Sequence, residues 1–104
     1  MSNKIKLFKI IRKRMGNNST YSTVDTLENL IQYHSYTLET GKSYENEKGN
    51  SKIKSPSQIK SITSLVSNIN KAVNNSAANG YSSTSYSIGE VTDEDIKNYL
   101  EKIK

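Results

Sequence analysis

One stretch constrains the fold more than any other. In SPSQIKSITSLVSNINKAVNN, residues Ile59, Ile62, Val66, Ile69 and Val73 recur with spacings of 3, 4, 3 and 4. That period lays a β-branched stripe along one helical face, widened by Leu65 and Ala72. Ser55 reads as an N-cap and Pro56 as the first helical residue. The other face is Ser, Asn, Thr and Lys, which reads as solvated. Such residues are indifferent helix formers, so this helix needs a packing surface. The surface is either the rest of the chain or a partner, and self-association through the 56–75 helix is one expectation.

Few other residues are free to build that surface. Hydrophobic residues make up 33% of a chain of 104, which is low for a globular domain and points to one small core. The whole of 1–104 reads as a single domain. Asn, Ser, Lys, Ile and Tyr dominate, the residue usage of a low-GC genome. Cysteine is absent, which excludes disulfides, thiolate catalysis and cysteine-ligated zinc.

Three further segments read as helices. Residues 24–39, VDTLENLIQYHSYTLE, place Leu27, Leu30, Ile31, His34 and Leu38 on one face, with Thr23 as the cap and Gly41 as the stop. Residues 92–104 open on Thr92 with three acids in the first turn and close on Lys102 and Lys104, matching the helix dipole at both ends. Their inner stripe is Ile96, Tyr99, Leu100 and Ile103. Residues 41–54 read as a linker. Residues 74–91 read as a Ser/Asn/Gly-rich connector, in which Tyr86 and Ile88 alternate as a short extended piece would. The expectation is an all-α fold: a bundle of about four helices joined by polar connectors. In size, charge and helical character such a bundle is similar to the small immunity proteins of bacteriocin producers.

The remaining helix is the N-terminus, MSNKIKLFKIIRKRMG. Lys4, Lys6, Lys9, Arg12, Lys13 and Arg14 give it six of the fifteen bases and no acid. The rest of the chain holds nine bases against ten acids, so the entire basic excess lies here. On a helical wheel Phe8, Ile11 and Met15 cluster opposite Lys6, Lys9 and Lys13. An amphipathic helix over 1–16 with a cationic face suits a core, an anionic membrane leaflet, a phosphate backbone or a mitochondrial-type presequence. Bases interrupt its apolar run, which excludes a secretory signal, and no run is long enough to span a bilayer.

Catalytic chemistry finds little material. The single histidine, His34, has no local nucleophile or orienting carboxylate and reads as packing. The acids Glu90, Asp93, Glu94 and Asp95 lack calcium-loop spacing and suit a helix start. No phosphate-cradling glycine pattern occurs. The C-terminal GYSSTSYSIGEVTDEDIKNYLEKI loosely resembles the tyrosine helix of single-tyrosine transposases, which would make Tyr99 a nucleophile. That family needs paired histidines and a downstream Gln to hold its metal, and neither is present. Seven tyrosines lie outside the basic segment and read as contact residues, with Tyr33 and Tyr36 as a candidate patch.

These readings converge on a non-enzymatic accessory protein acting by binding, without cofactor or metal. It is expected in the cytoplasm, at the inner membrane face if the basic helix docks there. A protein partner is expected beside the anionic surface. The alternatives are a nucleic-acid-binding protein, or an inhibitor of a nucleic-acid enzyme, and a viral or phage self-assembly subunit.

Overall fold

The structure, a computed structural model, describes residues 6–14, 19–77 and 84–103. It corrects the all-α expectation. The described residues form three strands and four α-helices: β1 (Leu7–Arg14), β2 (Thr20–Thr26), α1 (Leu27–Tyr33), α2 (Ser35–Lys42), α3 (Ile62–Ala77), β3 (Thr84–Gly89) and α4 (Asp93–Lys102). The strands make one antiparallel sheet in the order β2-β1-β3, so the fold is α+β. The likeness to helical immunity proteins falls with the bundle.

The N-terminal helix is replaced by β1, the central strand. Its apolar residues occur at both parities: Phe8 and Ile10 on one face, Leu7 and Ile11 on the other. A helical wheel and a strand covered on both faces fit such a pattern equally well. Pairing decides it. β1 matches Leu7 to Arg14 against β2 and β3 together, so its backbone is hydrogen-bonded along both edges. β2 is TYSTVDT, rich in β-branched and aromatic residues, and it takes the segment expected to open the second helix.

The helix start moves accordingly from Thr23 to Thr26, whose Oγ1 accepts from Asn29 N at 3.3 Å. The helix then bends at His34 without losing its ladder. His34 N donates to Leu30 O at 3.0 Å, and Leu38 N donates to His34 O at 3.1 Å. Gly41 is not a stop: it lies inside α2, at the crossing with α3.

The stripe on α3 is the chain's own core. Leu65, Val66, Ile69 and Ala72 are buried, with Ile62 and Val73 packed against them, facing α2 and β3. Ile59 is buried too, but precedes the helix. Ser55 and Pro56 begin a separate 3-10 turn, Pro56–Gln58, in which Ser55 N donates to Gln58 Oε1 at 3.0 Å.

The polar face of α3 is not simply solvated. Asn68 Oδ1 accepts from Lys54 N at 2.9 Å, and Asn75 Oδ1 accepts from Ser51 N at 2.9 Å. Asn75 Nδ2 also donates to Gly41 O at 3.0 Å and Ser51 O at 2.8 Å. Residues expected to form a linker are thereby strapped to α3, with Ile53 buried beneath the strap. Replacing Asn75 with alanine leaves these backbone groups without that partner and is expected to cost about 2 kcal/mol. A urea midpoint unchanged from the native protein would refute the strap.

The end of the chain follows its local signals. Thr92 Oγ1 accepts from Asp95 N at 3.1 Å, and Asp95 Oδ2 accepts from Thr92 N at 3.0 Å, a reciprocal capping box. α4 packs against β2 and covers the sheet face opposite α1–α3, where Lys9 Nζ meets Asp95 Oδ2 at 2.9 Å. Of the expected inner stripe only Tyr99 is buried. Ile96, Leu100 and Ile103 are exposed, because the helix turns its Asp95–Tyr99 side to the sheet.

Candidate functional site

The strand register gathers the chemistry. Arg12 pairs across the sheet with Tyr21 on β2 and with Tyr86 on β3. Cross-strand partners share a face, so the guanidinium stands in a row between two phenol rings. Its Cζ lies 5.3 Å from the centroid of the Tyr21 ring, within cation–π range. The bend at His34 closes over this row. A cavity of about 240 Å³ results, lined by Ile10, Arg12, Tyr21, Thr23, Tyr33, His34, Tyr36, Thr37 and Tyr86. A second cavity, of about 270 Å³, adjoins it across Tyr36, Thr37 and Tyr86 and runs on to Val73 and Thr84.

Each wall has a structural reason. The Tyr86 backbone is held by α3: Asn70 Nδ2 donates to Tyr86 O at 2.9 Å, and Tyr86 N donates to Asn70 Oδ1 at 2.8 Å. One side-chain amide thus satisfies both polar groups of an edge-strand residue. Tyr33 and Tyr36 project from either side of the helix bend, 63% and 79% exposed.

The electrostatics are one-sided. Among the described residues no carboxylate lines the cavity. Among the described residues, the ion pairs are Lys9–Asp95 and Lys42–Glu45, so Arg12 has no acid partner. Burial pushes the His34 imidazole down to about 4, and the positive charge of Arg12 adds to the effect. His34 is therefore neutral at pH 7. Burial likewise holds the Tyr86 phenol above its ordinary range, partly offset by Arg12 beside its hydroxyl.

His34 carries the one anomaly. Its ring meets Tyr33 and Tyr86 edge-on, with centroids 4.9 and 5.6 Å away. Yet Nε2 is buried and, among the described residues, has no hydrogen-bond partner. Leaving such an atom unsatisfied costs about 1–3 kcal/mol, and a native fold that tolerates it calls for an explanation.

The expected basic cluster is divided. Arg12 and Arg14 lie on the cavity side of the strand. Lys9 and Lys13 lie on the α4 side, Lys9 in its ion pair with Asp95. Lys6 is exposed beside the Phe8 ring, and Lys4 lies outside the described residues. The seam residues Ile59, Ile62, Val66, Ile69 and Val73 belong to the core, with Val73 also touching the second cavity. Tyr21 and Tyr86 are the site residues that sequence reading missed. Their distance from Arg12 along the chain hides a pairing that only the register reveals. Tyr99, buried under α4, touches neither cavity.

Comparison of the chain with protein-family models, with curated proteins and with solved structures finds no match to any of them. Among the described residues no helix is long and apolar enough to cross a membrane, and no cluster of His, Asp and Glu could hold a metal ion.

Proposed function

We propose that this chain is a non-enzymatic cytoplasmic protein that binds single-stranded nucleic acid along the groove of the two cavities. The observation that carries this reading is the Tyr21–Arg12–Tyr86 row. Single strands are held by cations that meet the backbone and aromatic rings on which bases stack, and this row supplies both. Arg14 adds a second cation on the same face, and Tyr33 and Tyr36 add exposed rings. Two adjoining cavities suit a ligand that repeats.

A membrane target fits less well. Phe8 and Ile10, which would have entered the lipid, are packed against the core. The bases divide between two faces of a sheet, so no cationic face backs an apolar one.

Fluorescence anisotropy with a labelled oligonucleotide tests the reading. Two phosphates neutralised by Arg12 and Arg14 give a log–log salt slope of roughly −1.4. Arg12→Ala is expected to weaken binding about tenfold and to flatten the slope by roughly 0.7. Lys13→Ala, on the other face, should leave both unchanged. A flat salt response, or equal losses from Arg12→Ala and Lys13→Ala, would overturn the proposal. Anionic vesicles form the comparison arm: binding them in place of the oligonucleotide would also overturn it.

A further inference from the structure

The inner cavity contains more than strand binding requires. Stacking and phosphate contacts are indifferent to which atoms a base carries at its edge. A buried imidazole nitrogen without a partner is not, because it accepts or donates one hydrogen bond at a fixed place. We infer that the inner cavity is a base-specific subsite. One nucleobase enters between the Tyr21–Arg12–Tyr86 row and the helix bend, and its edge hydrogen-bonds to His34 Nε2. This inference rests on the nucleic-acid reading and deepens it.

Three observations support the subsite. The cavity, at about 240 Å³, lies below the roughly 300–1,000 Å³ of pockets that enclose drug-sized ligands, which suits a single planar ring. Its walls are aromatic on several sides: Tyr21 and Tyr86 on the sheet, Tyr33 and Tyr36 on the helices. Among the described residues Arg12 is the one cation in its lining, the group that a nucleotide phosphate would meet. Nε2 is closed off from solvent in this structure, so Tyr33, largely exposed and edge-on to the imidazole, would have to swing aside to admit the base edge.

A neutral imidazole suits this role. It offers one ring nitrogen as donor and the other as acceptor, so its tautomer can match the base edge presented to it. A charged imidazolium would donate from both nitrogens and discriminate less. Tyr33 and Tyr86 border the ring and Arg12 is the nearest charge acting on it, so no acid stands by to recruit a proton.

The test compares an oligothymidylate with an abasic oligomer of the same length, and adds the four nucleoside monophosphates with ribose 5-phosphate as the base-free control. His34 is the only histidine, so its ring 15N signals need no residue assignment, and two-bond couplings to the ring protons distinguish Nε2 from Nδ1. The base-bearing oligomer should bind about tenfold more tightly than the abasic one, a modest share of what stacking supplies per base. At least one nucleotide should move the His34 Nε2 signal, while ribose 5-phosphate should not. His34→Phe keeps the ring contacts and removes the nitrogen. It should lower oligothymidylate or mononucleotide affinity about tenfold while leaving the urea midpoint unchanged or raised. If oligothymidylate binds with the expected salt slope but the His34 signal stays still and His34→Phe binds as tightly as the native protein, the subsite is refuted and strand binding stands. If neither oligomer binds, both fall.

Discussion

Gly41→Ala is expected to destabilise the protein by about 3 kcal/mol or more, although alanine is the better helix former by about 1 kcal/mol. Gly41 lies within α2, where that substitution would ordinarily stabilise. Here a Cβ would run into Ala72 of α3, meeting its Cβ and its Cα, and would lie 3.1 Å from its carbonyl carbon. Backbone cannot rotate aside as a long side chain can, so the two helices must separate. Ala72, Leu65, Ile69 and Leu38 are fully buried around this crossing, so separation opens the centre of the core. It also pulls Gly41 O from Asn75 Nδ2 and loosens the strap over residues 51–54. Urea unfolding checks the effect. Adding Ala72→Gly should recover part of the loss but not all, because the Ala72 Cα remains in the way. Gly49→Ala gives a useful contrast. Gly49 has φ +83° and open space around it, so its substitution costs about 1–2 kcal/mol through backbone conformation alone. A Gly41→Ala protein more stable than the native one would refute the close crossing.

This glycine also shows where sequence reading reaches its limit. Near the end of an apolar period, a glycine reads as a C-terminal stop; nothing local distinguishes that from a helix crossing. Signals contained within a few residues were legible: the Thr92–Asp95 box, the 3-4 stripe on α3, and the Tyr86–Ile88 alternation of β3. Signals that depend on partners were not. Leu7, Phe8, Ile10 and Ile11 fit a wheel as well as a strand with both faces covered, and only pairing with β2 and β3 separates the two. Thr20, Tyr21, Thr23, Val24 and Thr26 did carry a β signature. Thr23, Asp25 and Glu28 look like a helix start and mask it. Thr26, only three residues on, is the true cap. The site depends most on strand pairing. With β1 read as a helix, six bases cluster and the tyrosines lie elsewhere. As a strand, it sends Arg12 to Tyr21 and Tyr86 and Lys9 to Asp95. The asparagines of α3, read as solvated, turn out to hold the strap and the edge of β3.

Stability is expected to fall by about 2 kcal/mol between pH 7 and pH 5, and His34 is the cause. In the unfolded chain this histidine titrates near 6.5; in the fold burial and Arg12 hold it at about 4. Between those values the unfolded state binds the extra proton, so stability rises with pH across the window. The stability is fully present above pH 6.5 and is lost as pH falls toward 4, with a total on the order of 3 kcal/mol. His34 is 6% exposed, so solvent screening does little to reduce this. The window is clean because there is no other histidine. Glu45 and Asp95 add their own pH dependence lower down. Their carboxyls are held below the ordinary range, chiefly by backbone N–H groups of Ile53 and Thr92, with Lys42 and Lys9 assisting. What they contribute is present above the ordinary carboxylate range and is lost as pH falls through their depressed values. His34→Phe should abolish the slope between pH 5 and 7 and leave the acid limb in place. Arg12→Gln removes the nearby charge and should raise the lower end of the window and reduce the total loss, while burial keeps most of the depression. Urea midpoints measured across this range in the three proteins decide the matter. A native protein with a flat profile, or a His34→Phe variant that keeps the slope, would show that the imidazole is not held neutral by its cavity. The same neutrality is what the base-specific subsite needs: a ring kept uncharged between Arg12 and two tyrosines has one nitrogen to donate and one to accept.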